Sequence, residues 1–128
     1  MVGKSLPRLE SSSKASGQCR FTADMKLPGM LHGRILRSPL PHARIVRLDT
    51  ARAARFPGVK AVVTGRDTAG VKYAFANCDP DKLPLAIDKV RYIGDDVAVL
   101  AAVDEDTAEE ALGLIDLELE ELPAVYDP

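Results

Sequence analysis

Two histidines are the first residues to consider for catalysis, because an imidazole can take up and release protons near neutral pH. His42 lies between two prolines and a predicted strand, a position that is fixed but exposed. A histidine base needs a Ser or Cys nucleophile beside it, and the sequence has no GxSxG or comparable motif. His32 alternates with apolar neighbours, which predicts a packed strand residue. We therefore predict a structural or interface role for His42, with a minimal hydrolase or metal enzyme as the alternative.

Two other groups of side chains are candidates for holding a metal ion. Asp95 and Asp96 follow Gly94 in a predicted turn, and an adjacent carboxylate pair can bind a divalent cation or share a proton. Turns also favour Asp for backbone reasons, which predicts a solvated pair instead. Cys19, Cys78 and the two histidines lack regular zinc-ligand spacing. The sequence therefore predicts no catalytic residue, no cofactor-binding residue and no metal ligand in this chain.

Charge is unevenly distributed along the chain, although its net value is only −2. Residues 1–66 carry 13 Lys or Arg against 3 acids, and residues 67–128 carry 4 against 16. One interpretation is a free-standing interaction module that binds an acidic partner, such as nucleic acid, through its basic N-terminal half. We favour another, in which the halves fold onto each other and their charges compensate, because aromatic residues for base stacking are scarce. Four arginines could clamp phosphate or carboxylate groups: Arg34, Arg37, Arg44 and Arg47.

The stretch from Lys89 to Pro123 has the clearest pattern of secondary structure. Residues 97–103 form a continuous Val-rich apolar run, which predicts a fully buried strand. A helix near 106–114 follows, with helix-starting side chains at Asp104, Asp106 and Thr107 and with Thr107 and Glu110 at capping-box spacing. Residues 115–119 then alternate apolar and acidic side chains, as in a strand with one exposed face. A short strand is also predicted at 89–92.

The upstream chain supplies the strands that this unit needs beside it. Residues 1–20 are predicted to be a polar N-terminal arm, and residues 21–128 a single domain. Prolines, glycines and β-branched residues predict strands at 20–23, 30–36, 43–48 and 59–64, and a short helix near 50–55. Residues 66–89 read as a long loop with a short strand near 71–75. Strands and helices do not alternate regularly, so we predict an α+β fold.

The composition is that of an ordinary globular protein, with 46% hydrophobic and 28% charged residues. No apolar run approaches the roughly 20 residues of a membrane span, and the N-terminus lacks the apolar core of a secretory signal. The two cysteines form no CxxC motif, which predicts reduced thiols and a cytoplasmic location.

Three segments together resemble one protein family over nearly the whole chain. They are Gly3-Lys4-Ser5 and Pro7-Arg8 with KASGQCRFTADMKLPGMLHGRILRSPLPHARI; LDTARAARFPGVKAVVT with Gly65; and VRYIGDDVAVLAAVDEDTAEEA with ELPAVYDP. They are similar to the N-terminal a/b hammerhead domain of the molybdopterin-binding large subunit of the xanthine dehydrogenase and aldehyde oxidase family. Within that family the third segment most resembles the 4-hydroxybenzoyl-coenzyme A reductase alpha subunit. The resemblance implies an α+β domain with a hammerhead-type mixed sheet.

The resemblance also implies a division of labour within a larger oxidoreductase. The molybdenum pterin and the catalytic glutamate would lie in later domains, with iron–sulfur clusters and FAD in companion subunits or domains. This chain would then be structural, inactive alone, and partnered by the remaining domains of the large subunit and by those companions, with no nucleic acid and no membrane. Two prolines pre-order the loop after the first long strand, which lowers the entropy cost of docking. The candidate interface is Arg37, Ser38, Pro39, Pro41, His42 and Arg44.

Overall fold

A computed structural model describes residues 3–74 and 81–127 of the chain. The chain divides into two compact units, Met1–Met30 and Leu31–Pro128. The sequence-based division into an arm at 1–20 and a domain at 21–128 stays a prediction.

The first unit contains two short helical segments. Helix α1 spans Ser11–Ala15, and a 3-10 helix spans Thr22–Asp24. The strand predicted at 20–23 is wrong, because the Asp24 carboxylate accepts the Phe21 N–H at 2.9 Å and closes a helical turn there. No residue between positions 3 and 30 is fully buried, so this unit has no core of its own.

The second unit consists of two three-stranded sheets with two helices. Its elements are β1 (His32–Arg37), β2 (Ala43–Asp49), α2 (Ala51–Ala54), β3 (Val59–Thr64), β4 (Lys89–Val90), β5 (Asp96–Ala102), α3 (Glu105–Leu112) and β6 (Asp116–Glu121). The sheet orders are β1-β5-β3 and β4-β2-β6. The α+β hammerhead fold and both predicted helices of this unit are confirmed. The predicted mixed sheet is wrong: the strands form two sheets, and all the described strand pairs are antiparallel. There are two sheets because β5 and β6, which lie on either side of α3 in sequence, belong to different sheets.

Strand β5 is the strand on which both cores are built. Leu100 and Ala102 are fully buried, and they pack in one cluster with Ala108 and Ala111 of α3. Val97 is also fully buried but belongs to a second cluster, with residues of the β4-β2-β6 sheet. The apolar run predicted a buried strand correctly, since a strand covered on both sides needs apolar residues at successive positions.

Helix α3 begins one turn earlier than its predicted cap. Asp104 is the N-cap, and its carboxylate accepts the Thr107 N–H at 2.7 Å. The predicted capping box of Thr107 and Glu110 is therefore wrong, because Thr107 already lies inside the first turn. Acids in that turn still lie at the positive end of the helix dipole.

Two predicted strands are shorter than the sequence indicated. The strand at 89–92 is reduced to Lys89–Val90, because a turn closed by the Asp95 N–H and the Tyr92 carbonyl follows. Near 71–75 there is an isolated bridge between Tyr73 and Lys82, and Phe75 lies outside the described residues.

The cap of α3 predicts a specific dependence of stability on pH. Hydrogen bonds from the Thr107 backbone N–H and then from its hydroxyl hold the pKa of Asp104 below its ordinary value of 3.8. A lowered folded-state pKa means that the stabilisation is present above about pH 4 and is lost as the pH falls through the folded value. Asp104→Asn keeps an acceptor oxygen but does not titrate. We expect this variant to melt a few degrees below the parent at about pH 7, and the gap to shrink at about pH 3. Thermal unfolding at both pH values measures this, and a constant gap would contradict it.

Gly65, at the end of β3, allows a close approach between two backbone segments. It is buried, and a Cβ there would clash with the Ala86 carbonyl oxygen and lie 2.8 Å from its carbon. Gly65→Ala must therefore displace backbone, and we expect it to lower the free energy of unfolding by about 2 kcal/mol. Gly33→Ala is the matched control, because its nearest neighbour would be the Leu100 oxygen at 3.9 Å. Denaturant titrations of both variants test the difference, and equal losses would refute this account.

Candidate docking site

The loop between β1 and β2 is fixed by Ser38 as well as by its prolines. The Ser38 hydroxyl donates to the Leu40 carbonyl at 2.9 Å and accepts the Leu40 N–H at 3.1 Å. Its backbone N–H donates to the Asp95 carbonyl at 2.9 Å, and its carbonyl accepts the Gly94 N–H at 2.8 Å. Gly94 has a positive φ of 87°, which suits glycine at this turn. The loop is thus attached to the turn that precedes β5.

His42 joins the start of β2 to the segment that follows β6. Its Nδ1–H donates to the Pro123 carbonyl oxygen at 2.8 Å, and its own carbonyl accepts the Leu122 N–H at 2.9 Å. A carbonyl only accepts hydrogen bonds, so this contact selects the imidazole form with a proton on Nδ1. The ring is therefore used to hold the backbone of the outgoing chain.

The structure separates the six residues of the predicted interface. Ser38 is buried, and Pro39 is exposed. Arg37 forms an ion pair with Asp96 at 3.0 Å, and Arg44 approaches Glu120 across two strands at 3.6 Å. Pro41 and His42 are the two that line a common depression.

Ion pairs join the basic half of the chain to its acidic half. Arg34 lies 3.3 Å from Glu105 and 2.9 Å from Glu109, which connects β1 to α3. Arg47 contacts Asp116 at 3.3 Å, in addition to its neighbour Asp49. Together with the pairs of Arg37 and Arg44, these contacts agree with the predicted compensation for four of the 13 Lys and Arg residues of the basic half. The hydrogen bond that Arg34 donates to the Glu109 carboxylate is the main reason that the pKa of Arg34 is raised.

The adjacent acids Asp95 and Asp96 have separate partners. Asp95 accepts the Arg91 N–H at 2.9 Å, which stabilises the turn, and Asp96 pairs with Arg37. Among residues 3–74 and 81–127, no three His, Cys, Asp or Glu side chains are grouped to hold a metal ion. The proposed four-residue set included Cys78, which lies outside the described residues.

An open groove of about 540 Å³ lies beside His42. We call it the C-terminal groove; its walls are Pro41 and His42, Lys89, residues 91–93, and residues 123–126. Ile93 is 66% exposed, Val125 88% and Tyr126 81%. This groove was not predicted from the sequence. The one sequence feature that indicates it is the apolar pair of Tyr92 and Ile93 directly before a Gly-Asp-Asp turn, where polar residues are more usual.

Residues 16–123 match the family described as aldehyde oxidase and xanthine dehydrogenase, a/b hammerhead domain. The chain belongs to this family. It is 42% identical to a probable xanthine dehydrogenase subunit from Bacillus subtilis over 94% of its length, and 40% identical to "Nicotinate dehydrogenase large molybdopterin subunit" of Eubacterium barkeri over 98%. It covers 16% and 29% of those proteins. This hammerhead chain is thus a domain of the kind found in large subunits of molybdenum enzymes.

Solved structures agree with this assignment. Quinoline 2-oxidoreductase from Pseudomonas putida 86 superposes with a TM-score of 0.84 at 41% identity, covering 96% of this chain and 16% of that one. CO dehydrogenase from Oligotropha carboxidovorans gives a TM-score of 0.88 at 35% identity, over 98% and 16% respectively. The hammerhead fold therefore recurs as about one sixth of much longer chains.

The residues that the structure describes do not fit a molybdenum pterin. The four arginines predicted as phosphate clamps, Arg34, Arg37, Arg44 and Arg47, each lie beside a carboxylate. The metal would need grouped donors, which the described residues do not supply. None of the described helices is long and apolar enough to cross a membrane.

We predict that the hydrogen bond between His42 and Pro123 stabilises the backbone of the segment after β6, which forms one wall of the groove. His42→Phe keeps a ring but removes the donor, whereas His42→Asn places an amide N–H close to the position of Nδ1. We expect the Phe variant to lose about 1 kcal/mol of local stability, so that the Leu122 amide exchanges several-fold faster with solvent. The Asn variant should retain most of the protection. Amide hydrogen exchange measures both, and equal exchange in the two variants would contradict the proposed contact.

Proposed function

We propose that this hammerhead domain is a structural domain of the large subunit of a molybdenum-dependent oxidoreductase and is inactive alone. The observation that supports this best is the combination of high coverage of this chain with coverage of only 16% of the B. subtilis relative. A domain that matches one sixth of a related subunit, and whose arginines on β1 and β2 pair internally, has the features of a scaffold.

The surface that would meet the rest of the subunit is the C-terminal groove. Large apolar side chains this exposed gain free energy when a partner surface removes them from water. Pro41 and His42 remain in the proposed interface, because they line this groove. We propose that the other four residues support this interface without lining the groove. Ser38 fixes the loop by hydrogen bonds, and Pro39 limits its flexibility. Arg37 and Arg44, on either side of the loop, form ion pairs with neighbouring strands.

The finer parts of the proposal come from the family resemblance. The complete enzyme would use a molybdopterin cofactor, with iron–sulfur clusters and FAD in companion subunits, and would act in the cytoplasm. Relatives are named for xanthine, nicotinate and carbon monoxide, so substrates differ widely within the family. Reduction of a 4-hydroxybenzoyl-coenzyme A thioester is the reaction that we propose, on the wording of residues 90–111.

The alternative of a free-standing module that binds an acidic partner through the basic half receives little support. Four of the 13 Lys and Arg residues in that half, Arg34, Arg37, Arg44 and Arg47, already contact Asp or Glu side chains within the domain. A polyanion would have to displace those carboxylates, which reduces its net gain in free energy.

Comparing the natural gene product with this 128-residue chain tests the proposal. We expect the complete subunit to contain about one molybdenum per chain and, in its assembled enzyme, to reduce 4-hydroxybenzoyl-coenzyme A with electrons from a reduced dye, and to oxidise xanthine or nicotinate much more slowly. The isolated chain should contain no molybdenum and show no turnover. Elemental analysis and dye-coupled assays measure these properties. Stoichiometric molybdenum in the isolated chain would refute the scaffold role, whereas preference for a purine or pyridine substrate would refute only the thioester assignment.

A further inference from the structure

The C-terminal groove is basic although it lies in the acidic half of the chain. Residues 67–128 carry only 4 Lys or Arg against 16 acids, yet Lys89 and Arg91 both line this groove, beside His42. No Asp or Glu is among the described residues that line it. A wall with two cations and no acid is therefore the reverse of what the local composition predicts.

These two cations differ from the four arginines of β1 and β2 in having no ion-pair partner among the described residues. Within the described ranges, no carboxylate oxygen lies within 4 Å of the Lys89 or Arg91 side-chain nitrogens, whereas Arg34 and Arg37 have carboxylates at 2.9 Å and 3.0 Å. Within the described part of the chain, the Arg91 guanidinium donates one hydrogen bond, to the Lys89 carbonyl at 3.5 Å. Its planar set of N–H donors is thus available for a bidentate carboxylate.

Apolar surface surrounds these cations. Tyr92 lines the groove with them, and the ammonium of a third cation, Lys82, is 5.0 Å from the centre of its ring. This cation–π contact orients the aromatic ring at the groove. Ile93, Val125 and Tyr126 extend the apolar surface outward.

The combination constrains what can cover the groove. An apolar partner alone would remove Lys89 and Arg91 from water without replacing their hydration, which is costly for an unpaired charge. A partner with both a carboxylate and an apolar side chain satisfies both surfaces. The groove walls include the exposed segment 123–126, so a polypeptide segment matches their extent better than a small carboxylic acid.

We propose that the C-terminal groove binds a segment from the remainder of the large subunit that presents an Asp or Glu to Arg91 and a neighbouring apolar side chain to Tyr92 and Ile93. This proposal rests on the proposed function, because it requires a longer subunit. It goes beyond that function by specifying the chemistry of the docking segment. The cations of this groove are distinct from the arginines of β1 and β2, which pair with carboxylates within the domain.

A photoreactive cross-linker at position 93 in the complete, assembled enzyme identifies the occupant. Ile93 is 66% exposed, so a photoreactive phenylalanine analogue fits there without entering the core. We expect one dominant cross-linked peptide from the same polypeptide, beyond residue 128, with an Asp or Glu next to an apolar residue. Cross-links to a companion subunit, to a second copy or to no protein would overturn the proposal. The intact mass of the gene product is measured first: a product that ends near residue 128 refutes the large-subunit function itself, whereas a full-length product without the expected cross-link refutes the docking segment alone.

Charge exchange tests the ion pair separately from the position of the segment. Arg91→Glu should increase the rate at which protease releases the hammerhead domain from the complete subunit by about tenfold, as expected for the loss of one charge-assisted contact. Arg91→Gln should have a smaller effect in the same direction and does not place a new charge in the fold. Lys60→Glu is the matched control, because Lys60 is exposed on β3 outside the groove lining.

Replacing the acid of the cross-linked peptide with Lys should restore protease resistance to the Arg91→Glu variant. A structural defect caused by the substitution itself would not be rescued in this way. Equal release from the Arg91→Glu and Lys60→Glu variants, or failure of the exchange to rescue, would overturn the proposed contact.

Discussion

The burial of β5 on both faces is the constraint on which the rest of this domain depends. Leu100 and Ala102 require a cover of small residues on one side, and α3 supplies it through Ala108 and Ala111. Val97 requires a cover on the other side, where Ala43 and Val90 of the second sheet meet it. Each sheet has only three strands and a narrow apolar face, so neither would form an adequate core alone. Strand β5 belongs to the first sheet, but its side chains pack in both core clusters, and this packing joins the two sheets into one folding unit.

Electrostatics reinforce this arrangement without determining it. The arginines of β1 and β2 lie opposite acids of α3, β5 and β6, so the strongly opposed charges of the two halves meet where the chain folds back on itself. These pairs are exposed, and exposed pairs add little to stability individually. Their main consequence is that the charges of the arginines on β1 and β2 are neutralised locally. Cations outside this pattern, at the C-terminal groove, are therefore the more informative ones.

Much of the fold could be predicted from the sequence, because apolar period and turn residues are local signals. Strand β3 at 59–64 was predicted to the residue, and the β5 run could be recognised by its continuous apolar residues. The errors occurred where side-chain hydrogen bonds decide between alternatives: Asp24 closes a helical turn in place of a strand, and Asp104 caps α3 in place of Thr107. Sheet membership of β6 depends on contacts with β2, 67 or more residues earlier, which no local pattern encodes.

The candidate site was harder to predict than the fold for a related reason. Pro41 and His42 were recognised as interface residues because their sequence context is unusual, but the groove they help to form is made from three distant segments. In the sequence, Val125 and Tyr126 look like ordinary residues that follow a strand. Only the structure shows that they line a groove with Lys89 and Arg91. Whole-chain charge conceals the same feature, since a net value of −2 averages over paired and unpaired groups. Lys89 and Arg91 lie in a segment rich in Asp and Glu, yet no described carboxylate pairs with either side chain. An unpaired cation in such a segment is informative. The physical reason to expect an acidic partner at this groove is therefore the contrast between these unpaired cations and the paired arginines elsewhere in the domain.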